Sequence, residues 1–299
     1  MDVVIGMKVV VLGNSALDRI LHVPELPCAG GDRMITVERS YESIGSTGAG
    51  KALGLDVLGV ETTLITDLGP DAIRDRVLSF FATTKVRVLV AETDRSTAHT
   101  NLMYGDGSRL SLLTSNPTSI PEILPDAIRA MEDADVVFLN INPFCRSYIP
   151  RMADIRAQVV VDLHDYDGEN PYHKDFYEAA DILFVSDVHL NNVESFMRKT
   201  IVDGKDLVVV TKGSRGAIAM DRHKRIFKVP AYQLDHVVDT NGAGDAFSVG
   251  FVVTYLATGS MDRSLRFASA CGALACTSEE LFLRSANPSF IQDWMAKKQ

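Results

Sequence analysis

The sequence predicts an α/β fold: a mostly parallel central sheet flanked by helices, with a small β-sheet projecting from it. Three observations predict it. Seven short runs rich in β-branched residues are apolar almost throughout, which suits strands buried on both faces. Segments of helical length separate most of these runs, the alternation expected of βαβ units. Two further stretches break that rhythm and read as extended chain.

Taken in order, the runs are Val9–Leu12, Thr63–Thr66, Val86–Val90, Val136–Leu139, Val159–Val161, Ile182–Val185 and Leu207–Val210. In a sheet of this kind ligands gather outside the carboxyl ends of the strands. The first break, residues 33–44, alternates polar and apolar residues without a helical pattern. The second, residues 97–113, reads as strand, turn, strand, with Gly105-Asp106-Gly107 as the turn. Together they predict a small antiparallel lid sheet spanning 33–44 and 97–117. Residues 1–32, 45–96 and 118–299 then form the main α/β body. One face of such a lid is apolar and needs a partner: a substrate, a second subunit, or both. No internal repeat, low-complexity segment or Pro/Gly/Ser-rich linker divides the chain.

Composition removes several function classes. The 299 residues are 46% hydrophobic and 23% charged, enough for a sizeable core. A formal net charge of −9 argues against a nucleic-acid footprint, which needs a clustered basic face. The four cysteines, Cys28, Cys145, Cys271 and Cys276, make no CxxC pair and no zinc spacing, and read as free thiols in a reducing cytosol. The apolar N-terminus lacks a basic region and a cleavage site, and no run is long enough to span a bilayer. These features predict a cytoplasmic enzyme without membrane or nucleic-acid partners.

The chemistry is concentrated in Asp239-Thr240-Asn241-Gly242-Ala243-Gly244-Asp245, followed by an apolar segment of helical length. Glycines at 242 and 244 let the backbone approach a ligand and turn its N–H groups one way. A helix starting there adds partial positive charge at the same point. Such a cradle suits a transferring phosphoryl group, whose charge needs fixed donors in the transition state. Asp245, in the first helical turn, is placed to accept the proton of an attacking hydroxyl. A glycine-rich turn with a dipole-favoured acid is the simpler structural account of the same residues.

This heptad resembles the DTxGAGD signature of the ribokinase-like (PfkB) sugar and nucleoside kinases. The resemblance implies Asp245 as catalytic base and the amides of Gly242, Ala243 and Gly244 as anion hole. Other matches run along most of the chain. Gly13-Asn14-Ser15-Ala16-Leu17-Asp18 resembles the first substrate loop, which implies that Asp18 binds substrate hydroxyls. Thr211-Lys212-Gly213-Ser214-Arg215-Gly216 is similar to the TxGxxG segment near the nucleotide, which implies roles there for Thr211, Gly213 and Gly216 beside Thr240, Gly242 and Gly244. Asp106-Gly107-Ser108-Arg109 resembles the D-G-x-R hairpin of the lid. ATP and Mg²⁺ are the implied co-substrate and metal.

Gly45-Ser46-Thr47-Gly48-Ala49-Gly50-Lys51-Ala52 nearly matches the P-loop pattern GxxxxGK[ST]. Ala52 lacks the hydroxyl that would hold Mg²⁺, and residues 38–43 do not read as a buried strand. The segment instead resembles the family's second substrate loop, GGxGxN, and so implies substrate contacts at Gly45, Ser46 and Gly50. It departs from the family in carrying Ser46 for a glycine and Gly50 for an asparagine that often bonds a sugar hydroxyl. Lys51, alone on an early helical turn, reads as a solvated lysine, with a place near the substrate as the alternative.

Three other strand ends carry polar groups: Asn140 and Asn142; Asp162-Leu163-His164-Asp165; and Ser186-Asp187-Val188-His189, where the family often has NxxE. Asn142 is a candidate substrate contact, and the metal ligands are not identifiable. The family lays adenine near the small-residue segment 267–273, which implies Ser269 as a nucleotide contact. Thr277-Ser278-Glu279-Glu280-Leu281 replaces the family's TRxGA stretch, which puts potassium activation in question.

The expectation is therefore an ATP-dependent kinase of a small sugar or sugar derivative, a homodimer paired through its lid. The alternatives are a nucleoside kinase on the same scaffold, a sugar-binding or regulatory homologue without turnover, and a P-loop NTPase acting through residues 45–52.

Overall fold

The protein is described by a computed structural model that covers residues 6–25, 34–104 and 109–298. Its first strand, β1 (Lys8–Leu12), is followed by β2 (Ala16–His22), β3 (Arg39–Gly45), α1 (Thr47–Val57), β4 (Glu61–Leu68), α2 (Ala72–Phe81) and β5 (Arg87–Glu92). Then come β6 (Thr97–Met103), β7 (Arg109–Ser115), α3 (Pro125–Glu132), β8 (Val136–Leu139), α4 (Pro143–Arg146), α5 (Ile149–Met152) and β9 (Gln158–Asp162). The rest of the chain supplies α6 (Lys174–Ala179), β10 (Ile182–Ser186), α7 (Val193–Val202), β11 (Leu207–Thr211), β12 (Ala217–Asp221), β13 (Ile226–Val229), α8 (Ala243–Thr258), α9 (Met261–Ala275) and α10 (Pro288–Lys297).

Among the described residues the large sheet has nine strands in the order β13-β12-β11-β10-β9-β8-β1-β4-β5. From β11 to β5 every pairing is parallel, while β12 and β13 are antiparallel at one edge. All seven apolar runs named above lie on parallel strands of this sheet. Their continuous apolarity has a direct cause. Val9 and Val11 enter one core while Val10 and Leu12 enter the other, and the same alternation holds for 207–210. One core lies under α1, α2, α8, α9 and α10; the other lies under α3, α4, α5, α6 and α7. Local signals fix the helix starts: Asp71 accepts hydrogen bonds from the Ile73 and Arg74 amides at 3.1 Å, and Asn192 and Ser260 cap α7 and α9.

The small sheet has the order β3-β2-β6-β7. It contains the two stretches expected to be extended, and it also takes in β2, residues 16–22, which the sequence placed with the main body. Strand β2 lies against α2 and β3 against α1, and Arg76 of α2 ion-pairs with Glu42 of β3. The turn at Gly105-Asp106-Gly107-Ser108 and the residue Cys28 lie outside the described residues. The three described cysteines are free, with Cys145 and Cys271 buried. No described helix is long and apolar enough to cross a membrane.

Candidate active site

The site gathers at the carboxyl ends of the parallel strands, near β1, which lies between β4 and β8 in the sheet and from which the chain passes to β2 of the small sheet. The heptad sits here as the entry to α8. Gly242 caps that helix at φ 78°, a left-handed conformation, and an added Cβ would overlap the Leu281 carbonyl. Asp239 shapes the turn by accepting from the Asn241 amide at 2.8 Å. A helical bond from the Ala246 amide to the Gly242 carbonyl, 2.8 Å, starts the ladder, so the amides of Gly244 and Asp245 precede it at the positive end of the helix. Gly244 is exposed, and an added Cβ there would meet open space. The turn therefore has the form of an anion cradle.

Asp245 follows the cradle and is buried, at 7% exposure. Its carboxylate is hydrogen-bonded by the Lys51 ammonium. Lys51 is 1% exposed, so the sequence expectation of a solvated lysine is overturned. The reason lies in α1, whose residues 48–55 are all buried, leaving no solvent face at that turn. Lys51 Nζ also lies 3.6 Å from Asp162 Oδ2, at the end of β9. Asp162 in turn accepts from the His164 amide at 3.0 Å, and His164 stands in a left-handed conformation at φ 51°. Burial raises the Asp245 carboxyl above its ordinary range, against the opposing pull of Lys51 and His164. Burial would raise Asp162 too, but His164 and Lys51 bring it below the usual carboxylate value. Burial likewise opposes the charge on Lys51, and the two carboxylates overcome it. A carboxylate with raised proton affinity beside an anion cradle can take a proton from an approaching hydroxyl.

Asp18 lies on β2, buried, with both oxygens engaged. His99 Nδ1 is 2.9 Å from Oδ1, and Asn101 Nδ2 donates to Oδ2 at 3.2 Å. Both partners come from β6, which runs parallel beside β2 with His99 directly opposite Asp18. Neither was singled out from the sequence. Their spacing of two on a strand, which puts them on one face, was the available signal.

The second loop links these two clusters. Gly45 ends β3 where an added Cβ would overlap the Asp18 carboxylate. Ser46 follows at φ 75°, ψ 153°, a region nearly exclusive to glycine. An added Cβ on Gly50 would come within 3.0 Å of Asp245 Oδ2. This loop therefore runs from the Asp18 cluster to the Asp245 cluster. Its preceding strand belongs to the small sheet, not to the buried parallel sheet a P-loop requires.

The residues expected at the nucleotide form a contiguous strip beside the cradle. Thr211 ends β11, and Lys212 donates to the Gly216 carbonyl at 2.8 Å across the Gly213–Arg215 turn. Gly216 packs on Val229 and Pro230, and Ser269 on α9 donates to the Pro230 carbonyl at 3.1 Å. Gly272, one turn on, lies over the Ala243 carbonyl. Thr240 is exposed at the lip of the same turn.

Other candidates are committed elsewhere. Asn142 caps α4 by accepting from the Cys145 amide at 2.8 Å and donates to Asn14 Oδ1 at 3.0 Å. Asn140 donates to the Leu12 carbonyl at 3.1 Å and accepts from Thr47 at 3.2 Å, joining β1 to the start of α1. Asp187 pairs with Arg215 at 2.7 Å. Among the described residues no group of three or more His, Cys, Asp or Glu could hold a metal. The side chains present therefore do not form a protein cage for Mg²⁺.

Comparison with known proteins agrees with this geometry. The profile of the pfkB family carbohydrate kinases matches residues 7–282. An acarbose 7(IV)-phosphotransferase of Actinoplanes sp. is 34% identical over 276 residues, covering 90% of this chain and 92% of its own. An ATP-dependent ribose-1-phosphate kinase of Halopiger xanaduensis is 31% identical, covering 91% and 93%. The solved structure of a microbiome-derived acarbose kinase superposes with a TM-score of 0.86 at 28% identity, over 97% of this chain and 99% of that one. With a matching profile over most of its length, a ribokinase-like fold and sugar kinases among its relatives, the chain belongs to the pfkB family and is a carbohydrate kinase.

Proposed function

We propose that this kinase transfers the γ-phosphoryl group of ATP to a hydroxyl of a sugar or sugar derivative, with Asp245 as general base. The observation that carries the proposal is one buried carboxylate at the mouth of the α8 cradle, facing the loop that leads to Asp18. In this reading the acceptor O–H bond breaks and its proton passes to Asp245. A new O–P bond forms as the bond from the γ-phosphorus to the bridging oxygen breaks, and ADP leaves. The amides at Gly242 and Gly244, with that of Ala243 once it turns from the Thr240 carbonyl at 3.3 Å, donate to the phosphoryl oxygens while their charge is greatest. Asp18 orients the acceptor hydroxyls, with Gly45, Ser46 and Gly50 forming the floor of that subsite. Thr211, Gly213, Gly216, Thr240 and Ser269 line the nucleotide side. Mg²⁺ bound with the nucleotide would supply charge neutralisation at the phosphates. The place of action is the cytoplasm, and the small sheet closes over the acceptor as a lid.

Two acarbose kinases among the relatives favour a glycoside acceptor larger than one ring as a second reading. On the Asp18 face of the small sheet, the His22 and Tyr41 rings stack with centroids 6.0 Å apart, a surface on which a further sugar ring can lie. Pairing of two copies through the small sheet has support in β7, an edge strand exposing Leu110, Leu112 and Leu113. Sedimentation velocity reports on it.

The test is ATP consumption across free sugars, sugar phosphates, nucleosides and acarbose, for the wild type and Asp245→Asn. Turnover by the wild type, lost by about 10²–10⁴-fold in the variant with ATP binding kept, is the expected result. An Asn variant as fast as the wild type sinks the base assignment. A wild type that consumes ATP with nucleosides alone replaces the sugar reading.

A further inference from the structure

We propose that Lys51 is a positioning residue of the phosphoryl-transfer site, its buried ammonium clamping the Asp245 carboxylate against Asp162 and fixing its charge and direction. The inference rests on the reading of Asp245 as base and adds a residue to it.

A lysine with 1% exposure is a costly feature. Isolated charges are not tolerated in an apolar interior, and removing one partner of a buried pair is strongly destabilising. A methionine would fill the same space in α1 without that cost. The charge is maintained by two carboxylates that the chain brings from separate elements. Asp162 comes from the end of β9, and Asp245 lies 194 residues away from Lys51 in the first turn of α8. Lys51 touches both.

The neighbouring residues are shaped around this contact. Gly50 has no side chain where a Cβ would approach Asp245 Oδ2 to 3.0 Å. A side chain there would press on the Asp245 carboxylate, so the glycine lets α1 sit close to the group that Lys51, one residue on, bonds. The groups facing Asp245 are Lys51 from α1, Asp162 from β9 and His164 from the loop after β9. One ammonium stands between two carboxylates, so Lys51 holds the Asp245 carboxyl in place and opposes the rise that burial imposes on it.

A readout that needs no acceptor tests the idea: titration of Asp245 by ¹³C-carboxylate NMR in the full chain, its signal assigned by its loss in Asp245→Asn. In Lys51→Met the Asp245 midpoint is expected to rise by about one to three pH units, the range over which an adjacent charge moves a carboxyl. Lys51→Arg should restore it. Asp162→Asn leaves Lys51 in place and removes a like charge, so it should move the midpoint down. An unshifted midpoint in Lys51→Met overturns the proposal. If that variant does not fold, a midpoint in Asp162→Asn that stays or rises overturns it instead. These outcomes are separate from the kinase reading: Asp245→Asn with undiminished turnover defeats the base assignment and leaves the titrations standing.

Discussion

The Asp245 end and the Asp18 end of this site, the phosphoryl and acceptor ends of the proposed reaction, are built from different materials. The first is made of backbone: the Gly242 turn, the first amides of α8 and a single carboxylate. The second is made of side chains from two strands, Asp18, His99 and Asn101, joined to the first by a loop with a strained Ser46. Backbone donors impose few demands on sequence beyond small residues at fixed spacing, so that end follows its family signature. Side-chain contacts are free to change with the substrate, and the loop 45–51 has changed. Backbone strain also lies on the Asp18 side, at Ser46.

The contrast can be broken by kinetics. Asp245→Asn should depress turnover by a similar factor for every acceptor, since it acts on the transferred proton. Asp18→Ala should instead raise KM for accepted sugars by about 10–100-fold, the worth of one or two charge-assisted hydrogen bonds, with KM for ATP unchanged. Equal losses for all acceptors in both variants would erase the distinction between the two ends.

Stability sharpens it further. Burial pushes the Asp67 carboxyl up to about 6, and its Oδ1 has no hydrogen-bond partner. Unfolded, an aspartate titrates near ~3.9. The folded state holds the proton more tightly, so this group favours folding fully at low pH. That contribution is lost as pH rises through about 4 to 6. Asp67→Asn should remove the loss, on the order of 2–3 kcal/mol at neutral pH, seen as a urea midpoint that no longer falls across that window. A smaller gain, about 1 kcal/mol, is expected for Ser46→Gly, because glycine adopts φ 75° without strain. A lower melting temperature in that variant would show that Ser46 makes a contact worth more than its strain.

The legible part of the molecule follows from the same physics. The seven apolar runs were readable because each strand feeds two cores, so nothing polar interrupts it. The form of the heptad was readable because its turn and helix start are set by neighbouring residues in the chain. Lys51 was not, because its meaning depends on Asp245, 194 residues distant, and on burial of the whole of α1. A lone lysine after small residues carries no mark of that burial. Strand β2 was read as part of the main body because Ala16–His22 follows β1 so closely; only pairing with β3 and β6 assigns it to the small sheet. Asn142 also caps a short helix, a local role its sequence position alone does not reveal.

A single residue, Ser46, separates the last residue of β3 from the first of α1. The fifth residue of that helix is the lysine that grips the Asp245 carboxylate. The small sheet and that carboxylate are therefore joined by one strained residue and a stiff rod of about one turn. Any tilt of the sheet that does not turn Ser46 about its own bonds must be carried along the rod to Lys51. The setting of the small sheet and the setting of the Asp245 carboxylate are thereby mechanically linked through the covalent chain itself.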